Sequence, residues 1–255
     1  MIDMHNHILF GVDDGARTLE ESMELINEEV KKGVSQIIFT PHFNKRKYYL
    51  NQDKVSANFQ MLKEASKKEN LNVQLYLGNE IYLDSNDYIS IIDNGFYTLA
   101  GSKYILVEFN EIIPLDNMPE ICYEINVSGY IPIIAHTERY EILYRNTNLL
   151  CEILNEGAHL QVNASSIINK ENKSRNKFAH YLLKNQLISF AASDVHNTVS
   201  RRFYLDEAYK SVAKICSKEY ADKIFKHNQL NIINNLSFDS PKFLSKKSIL
   251  SKIFG

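Results

Sequence analysis

Leu187-Ile188-Ser189-Phe190-Ala191-Ala192-Ser193-Asp194-Val195-His196 is an apolar run that ends in an acid and an imidazole. A short run of this kind suits a strand covered on both faces, as parallel sheets require. The pattern recurs upstream. Met1–Met4 leads into His5 and His7, Gln36–Thr40 into His42, and Val73–Leu77 into Glu80. Tyr104–Val107 leads into Glu108, Tyr130–Ala135 into His136, and His159–Val162 into Asn163. Seven runs predict seven buried parallel strands, most of them closing on a side chain able to do chemistry.

Helical patterns fill the gaps. Thr18 and Glu21 have capping-box spacing, and Leu19, Met23, Ile26 and Val30 make one apolar stripe before Gly33, so 18–32 reads as a helix. Further helices are expected over 53–70 and within 83–95, 116–129, 148–157, 172–186 and 203–236. Strand and helix alternate without a linker, which predicts an α/β fold with a parallel sheet, a barrel more than an open sheet. In barrels the chemistry lies at the C-terminal strand ends, where the polar residues fall here. The division expected is a barrel over 1–236 and a tail over 237–255. The tail carries Lys242, Lys246, Lys247 and Lys252 against Asp239, interleaved with Phe238, Phe243, Leu244 and other apolar residues. It reads as a segment packed on the barrel, with docking to a partner or an anionic surface as the second reading.

The bulk numbers exclude several classes. With 255 residues, 44% of them hydrophobic, the chain can bury a core without disulfides. A net charge of −2 provides no broad basic field for nucleic acid. The three cysteines, Cys122, Cys151 and Cys216, form no CxxC pair, which points to a reducing, cytoplasmic setting. The opening residues lack the basic and apolar regions of a signal peptide, and no apolar run is long enough to span a membrane. A Cys-based tyrosine phosphatase needs Arg six positions after the nucleophile; Ser128, Gly157 and Asp222 stand there instead. No GKS or GKT phosphate loop occurs either.

Singly, each polar residue is unremarkable. A His-x-His pair such as His5 and His7 can share a metal, but isolated pairs are commonly incidental. Asp13-Asp14-Gly15 reads as well as a turn. Together, His5, His7, Asp14, His42, Glu80, Glu108, His136, Asp194 and His196 at one end of a barrel demand a compensating positive charge. Divalent ions supply it, and mixed N and O donors suit Mn, Fe or Zn.

In that order and spacing the residues resemble the polymerase-and-histidinol-phosphatase superfamily. Met1-Ile2-Asp3-Met4-His5-Asn6-His7, Val12-Asp13-Asp14-Gly15, Ile134-Ala135-His136-Thr137-Glu138-Arg139-Tyr140 and Ser193-Asp194-Val195-His196-Asn197 look like the capsule-linked, manganese-dependent tyrosine phosphatases of Gram-positive bacteria (the CpsB/CapC type). The resemblance implies a distorted, TIM-like (β/α)7 barrel of seven parallel strands and three divalent metal ions, manganese before iron or zinc. It implies that His5, His7, Glu80 and Asp194 hold one ion, that Glu80 bridges to a second completed by Glu108 and His136, and that Asp14, His42 and His196 hold the third. Spacing leaves Asp13 and Asp14 as alternatives.

The activity implied is hydrolysis of phosphotyrosine on an autophosphorylating tyrosine kinase that controls capsular or extracellular polysaccharide assembly. Peripheral membrane association would come through that kinase complex. Arg139 and Arg201 follow His136 and His196 closely and are the expected phosphate binders, acting beside His136 and Asp194; Arg202 has a weaker case. A phenolate, with a pKa of about 10, leaves more readily than an alkoxide. Histidinol-phosphate-type phosphatases and nucleic-acid phosphodiesterases would use the same metal core. A non-catalytic, metal-binding regulator docked on a kinase would not need the full ligand set.

Overall fold

A computed structural model describes residues 1–44, 51–83, 95–110 and 115–243. Nine strands lie among them: β1 (Ile2–Asp3), β2 (Gln36–Phe39), β3 (His42–Phe43), β4 (Gln74–Leu77), β5 (Glu80–Leu83), β6 (Tyr104–Phe109), β7 (Ile131–Ile134), β8 (His159–Asn163) and β9 (Phe190–Ala192). Every pairing is parallel. The strands form a three-stranded sheet in the order β1-β2-β4 and a six-stranded sheet in the order β3-β5-β6-β7-β8-β9.

The expected seven runs thus appear as nine strands. The second is interrupted at Thr40-Pro41, where proline has no N–H to give the ladder. The third breaks at Gly78-Asn79, where Leu99 approaches so closely that a Cβ on Gly78 would lie 2.8 Å from Leu99 Cδ2. The two ends of the array meet. Asn6 and Val195 form a parallel bridge, His7 N–H donates to Val195 O at 2.8 Å, and Asp194 N–H donates to His5 O at 2.8 Å. The sheet is therefore curled until its first and last segments touch.

The pleat sorts residues by parity. Tyr104, Leu106, Ile133, Ala135, Phe190 and Ala192 belong to an inner apolar cluster with Met4 and Ile38. Ile105, Val107, Phe109, Ile134, Leu160, Val162 and Ala191 belong to the larger cluster beneath the helices. Following the inner parity upward from Leu106 reaches Glu108, and from Ala192 it reaches Asp194. The interior therefore has an apolar floor and a polar mouth.

The helices pack outside. α1 (Leu19–Lys31) is capped by Thr18, whose side chain accepts from Glu21 N–H, as the spacing predicts. α2 (Gln52–Lys68) is capped by Asn51. Helices over Met118–Val127, Thr147–Asn155 and Lys173–Lys184 match expectation within a few residues. Within 203–236, where helix is expected, the chain forms Leu205–Ile215, Lys218–Asp222 and Asn228–Ile233, with a π turn over Lys223–His227. Cys216 leaves the helical region and the Ser217 side chain caps a new start. Most of the helix expected within 83–95 lies outside the described residues. The described part of the tail lies on the floor: Phe238 meets the rings of Tyr104, His159 and Phe190, and Ser240 Oγ–H donates to Leu154 O at 2.7 Å.

Candidate metal centre

All nine expected ligand side chains converge at the mouth. Glu80, wholly buried, is the hub. Its Oε1 lies 3.3 Å from His5 Nε2 and 3.0 Å from His136 Nε2. Its Oε2 lies 3.2 Å from His7 Nε2 and 3.1 Å from His42 Nδ1. Asp194 Oδ1 is 3.5 Å from both His5 Nε2 and His7 Nε2. Glu108 reaches His136 Nε2 at 3.4 Å and His42 Nδ1 at 3.9 Å. Asp14 Oδ1 lies 3.6 Å from the Nε2 atoms of both His42 and His196. Three groups have donor atoms close enough to share an ion: His7 with Asp14, His42 and His196; His5 with His7 and Glu80; His42 with Glu80 and Glu108.

Two of these residues sit on strained backbone. His136 has φ 33° and ψ 53°, and Asp194 has φ 53°. Left-handed geometry at bulky residues is uncommon and clusters at functional sites. In each case it turns the chain just past a strand and aims the side chain across the mouth.

The donors are held from behind. Gln161 Oε1 accepts the backbone N–H of His136 at 2.8 Å, so the same oxygen 3.0 Å from His5 Nδ1 also accepts there. Asp13 Oδ2 accepts from His7 Nδ1 at 2.7 Å and from His42 N–H at 3.1 Å. His196 Nδ1–H donates to the backbone carbonyl of Asp194 at 3.0 Å. Each ring, when neutral, thus keeps its lone pair on Nε2, facing the carboxylates. His5 Nε2 and His7 Nε2 are buried and face Glu80 oxygens at 3.3 and 3.2 Å without a well-aligned hydrogen bond, an arrangement of donor atoms that suits a shared ion. The geometry separates the two candidate acids: Asp14 faces His42 and His196, while Asp13 orients His7 from behind.

Charge in the mouth is tightly coupled. Burial alone would raise the pKa of Glu80, but His5, His42 and His136 hold it well below the carboxylate range. Burial of Asp194 is likewise outweighed by His5, Arg139 and Arg201. Burial would lower His7, yet Asp13 and Glu80 lift it to about 10. His136 falls to about 4 through burial and the Arg139 charge. Burial and the Glu80 charge push Glu108 up to about 7. The carboxylates require cationic company; Arg139 and Arg201 supply part of it at Asp194, and divalent ions would supply the rest with the imidazoles deprotonated.

Both expected arginines grip Asp194. Arg139 Nη2 donates to Oδ2 at 2.8 Å, and Arg201 Nη2 lies 2.8 Å from both oxygens. Arg201 Nη1 also contacts His196 Nε2. Arg202 is exposed on the neighbouring cleft and does not join them. Sequence reading missed Gln161, whose side chain links His5, His136 and Asn163, and the role of Asn163, which donates to Asp194 Oδ2 at 2.7 Å. A signal was present: Gln161 and Asn163 are polar on alternate positions of a wholly buried strand.

Fold and mouth define the class as a parallel, curled α/β protein whose strand ends gather imidazole and carboxylate donors suited to several metal ions. The family model described as capsular polysaccharide synthesis, CpsB/CapC, matches residues 1–234, and the chain belongs to that family. The tyrosine-protein phosphatase CpsB of Streptococcus agalactiae is 35% identical over 92% of this chain and 99% of its own length. The tyrosine-protein phosphatase YwqE of Bacillus subtilis is 31% identical over 100% of this chain and 99% of its own. A crystal structure from the pair YwqE of Bacillus subtilis and CpsB of Streptococcus pneumoniae, described as metal-dependent tyrosine phosphatases, superposes with a TM-score of 0.86 at 29% identity. It covers 96% of this chain and 100% of the other. Histidinol phosphate phosphatase from Lactococcus lactis shares the fold at a TM-score of 0.57 and 16% identity, covering 84% of this chain and 93% of the other.

Proposed function

We propose that this protein is a metal-dependent protein-tyrosine phosphatase acting on an autophosphorylating tyrosine kinase of capsular or extracellular polysaccharide assembly. The observation that carries the reading is the convergence on Glu80 of four imidazoles with Asp194 and two arginines alongside. Family membership and the names of the relatives support the substrate class.

The residues fit three divalent ions, manganese before iron or zinc. His5, His7, Glu80 and Asp194 would hold one; Glu80, Glu108 and His136 a second; Asp14, His42 and His196 a third. Such ions supply the positive charge that acidifies water and polarises a phosphoryl group. The chain's own residues do the rest. Arg139 and Arg201 present planar guanidinium groups at the edge of the ligand cluster, matched to phosphate oxygens. Asp194 holds both in place before substrate arrives. The tyrosine oxygen leaves as a phenolate of pKa about 10, which lowers the demand for protonation. We read the nine strands as seven staves of a distorted barrel over 1–236, with 237–255 as an appended tail. No helix among the described residues is long and apolar enough to cross a membrane; a cytoplasmic enzyme reaching the membrane through its kinase fits the family's role.

Hydrolysis of a phosphotyrosine peptide and of histidinol phosphate, measured side by side with Mn²⁺ and then with chelator, tests the reading. Metal-dependent preference for the peptide is expected. Preference for histidinol phosphate would overturn the substrate class, and activity that survives chelation would overturn the metal. Arg139→Ala and Arg201→Ala are each expected to lower peptide turnover at least about 100-fold with metal content intact; full activity in both would remove their role.

A further inference from the structure

Three depressions surround the mouth, and they differ in character. The one beside Glu108 and His136 is aromatic, lined by Tyr82, Phe109 and Tyr140. The one beside Asp14 and His196 balances Arg17 against Glu21 and Glu24. The third opens directly from Asp194 and is strongly cationic. It measures about 350 Å³ and is lined by Arg139 and Arg201 at its inner end and by Lys170, Arg175 and Arg202 further out.

Its charges fall into two ranks. Arg139 and Arg201 are committed to Asp194. Arg175 is committed to Glu171 at 2.5 Å, and Ser165 Oγ–H donates to the other oxygen of Glu171 at 2.6 Å. Lys170 and Arg202 are exposed, and among the described residues neither forms an ion pair; Lys170 Nζ stands 5.9 Å from the centre of the Tyr204 ring. Two unpaired cations at the outer end of a cleft that begins at the scissile-phosphate site form a field for a second anion.

We propose that this cleft is a specificity subsite for a second anionic group of the substrate, a carboxylate or a further phosphate within about two residues of the phosphotyrosine. The inference rests on the phosphotyrosine reading above. The scale agrees: a cleft of this volume is about 7 Å across, and an extended chain advances about 3.3–3.6 Å per residue. Lys170 and Arg202 are the specificity-determining residues, and opposite charge at close range favours the substrate that carries the extra anion.

The test uses the full chain loaded with Mn²⁺ and four substrates: free phosphotyrosine, a phosphotyrosine peptide with neutral flanks, the same peptide with glutamate on either side, and the same peptide with a second phosphotyrosine two residues away. Wild type is expected to show KM about five- to tenfold lower for one or both doubly anionic peptides than for the neutral one, with kcat little changed. In Lys170→Glu/Arg202→Glu that ratio is expected to collapse to about one, and raised salt should shrink it in wild type. The glutamate and bisphosphorylated arms tell carboxylate from phosphate. A wild-type ratio of one, or a ratio that survives the double charge reversal, overturns the subsite. If no phosphotyrosine substrate is turned over, the parent reading fails. Fluorescence anisotropy of the labelled neutral and doubly anionic peptides, on wild type and variant, then still decides whether the cleft selects the second anion.

Discussion

A histidine serves a metal only when one ring nitrogen is held and the other is bare, so the residue behind the ring matters as much as the ring. Asp13 is that residue for His7, and it also accepts from the backbone N–H groups of His42 and Gly15. Asp13→Ala is therefore expected to weaken metal binding about 10–100-fold while leaving the far-ultraviolet circular dichroism unchanged. Titration calorimetry with Mn²⁺ reads the effect, and wild-type affinity in the variant would show that His7 needs no such anchor. A second acid acts on stability. Glu29 of α1 is wholly buried against Asp3; burial first, then the Asp3 charge, raises its pKa well above the usual range. A raised acid pKa means that the folded state holds a proton the unfolded chain has released. The stability this contributes is complete below the unfolded pKa of about 4.3 and is lost as pH rises through the folded value. Glu29→Gln never ionises, so its melting temperature is expected to gain on wild type as pH rises from 5 to 8. Parallel curves would mean that folding does not raise the Glu29 pKa into or above that range.

At the scale of elements, the turn 8–18 between β1 and α1 is set by close approach. A Cβ on Gly15 would lie 1.9 Å from the carbonyl oxygen of His7, and Gly11 carries a φ of 65°. Gly15→Ala must push the Asp13-Asp14 turn away from His7, and we expect a loss of about 3 kcal/mol or more together with weakened metal binding. Thr18→Ala, which removes only the helix cap, should cost about 1 kcal/mol and leave metal binding alone. Denaturant unfolding of the two variants measures the difference, and equal losses would show that the turn has room. This contrast also explains what was legible in sequence. The cap at Thr18 and the stripe of α1 are local chemistry, readable from neighbours a few residues apart. The interruptions at Thr40-Pro41 and Gly78-Asn79 and the break at Cys216 depend on what packs against them, and a short apolar run does not report that. Most of the candidate ligands were legible because they stand at the end of an apolar run; the choice between Asp13 and Asp14 was not, because it depends on how their turn packs against His7 and His42. Gln161 gave a weaker signal, because it lies inside such a run and its partners His5 and His136 come from distant parts of the chain.

Across the whole molecule, the candidate ligands come from around the curled sheet: His5 and His7 after β1, Asp14 in the turn that follows them, His42 in β3, Glu80 in β5, Glu108 in β6, His136 after β7, and Asp194 and His196 after β9. Among the described residues, the two ends of that circuit are joined by the bridge between Asn6 and Val195, the backbone hydrogen bonds beside it and the hydrogen bonds from Ser193 to the Asp3 carboxylate. Ions at the mouth would tie the circuit together at this junction, where strand pairing is reduced to one isolated bridge. They would also bring positive charge to Glu80 and Asp194, so binding favours the folded state over a chain in which the donors are scattered. One ion at 100 times its dissociation constant adds about 2.7 kcal/mol, which for a domain of this size is roughly 5–10 °C in melting temperature. Stripping metal with chelator is thus expected to lower the melting temperature of wild type by at least that much, and Mn²⁺ should restore it in a single cooperative transition. Glu80→Gln, which removes the hub charge shared by two of the proposed sites, should show a much smaller rise in melting temperature on adding Mn²⁺ than wild type does. A wild-type melting temperature indifferent to both chelator and Mn²⁺ would show that the mouth binds no ion strongly enough to brace the fold, and the metal assignment would fall with it.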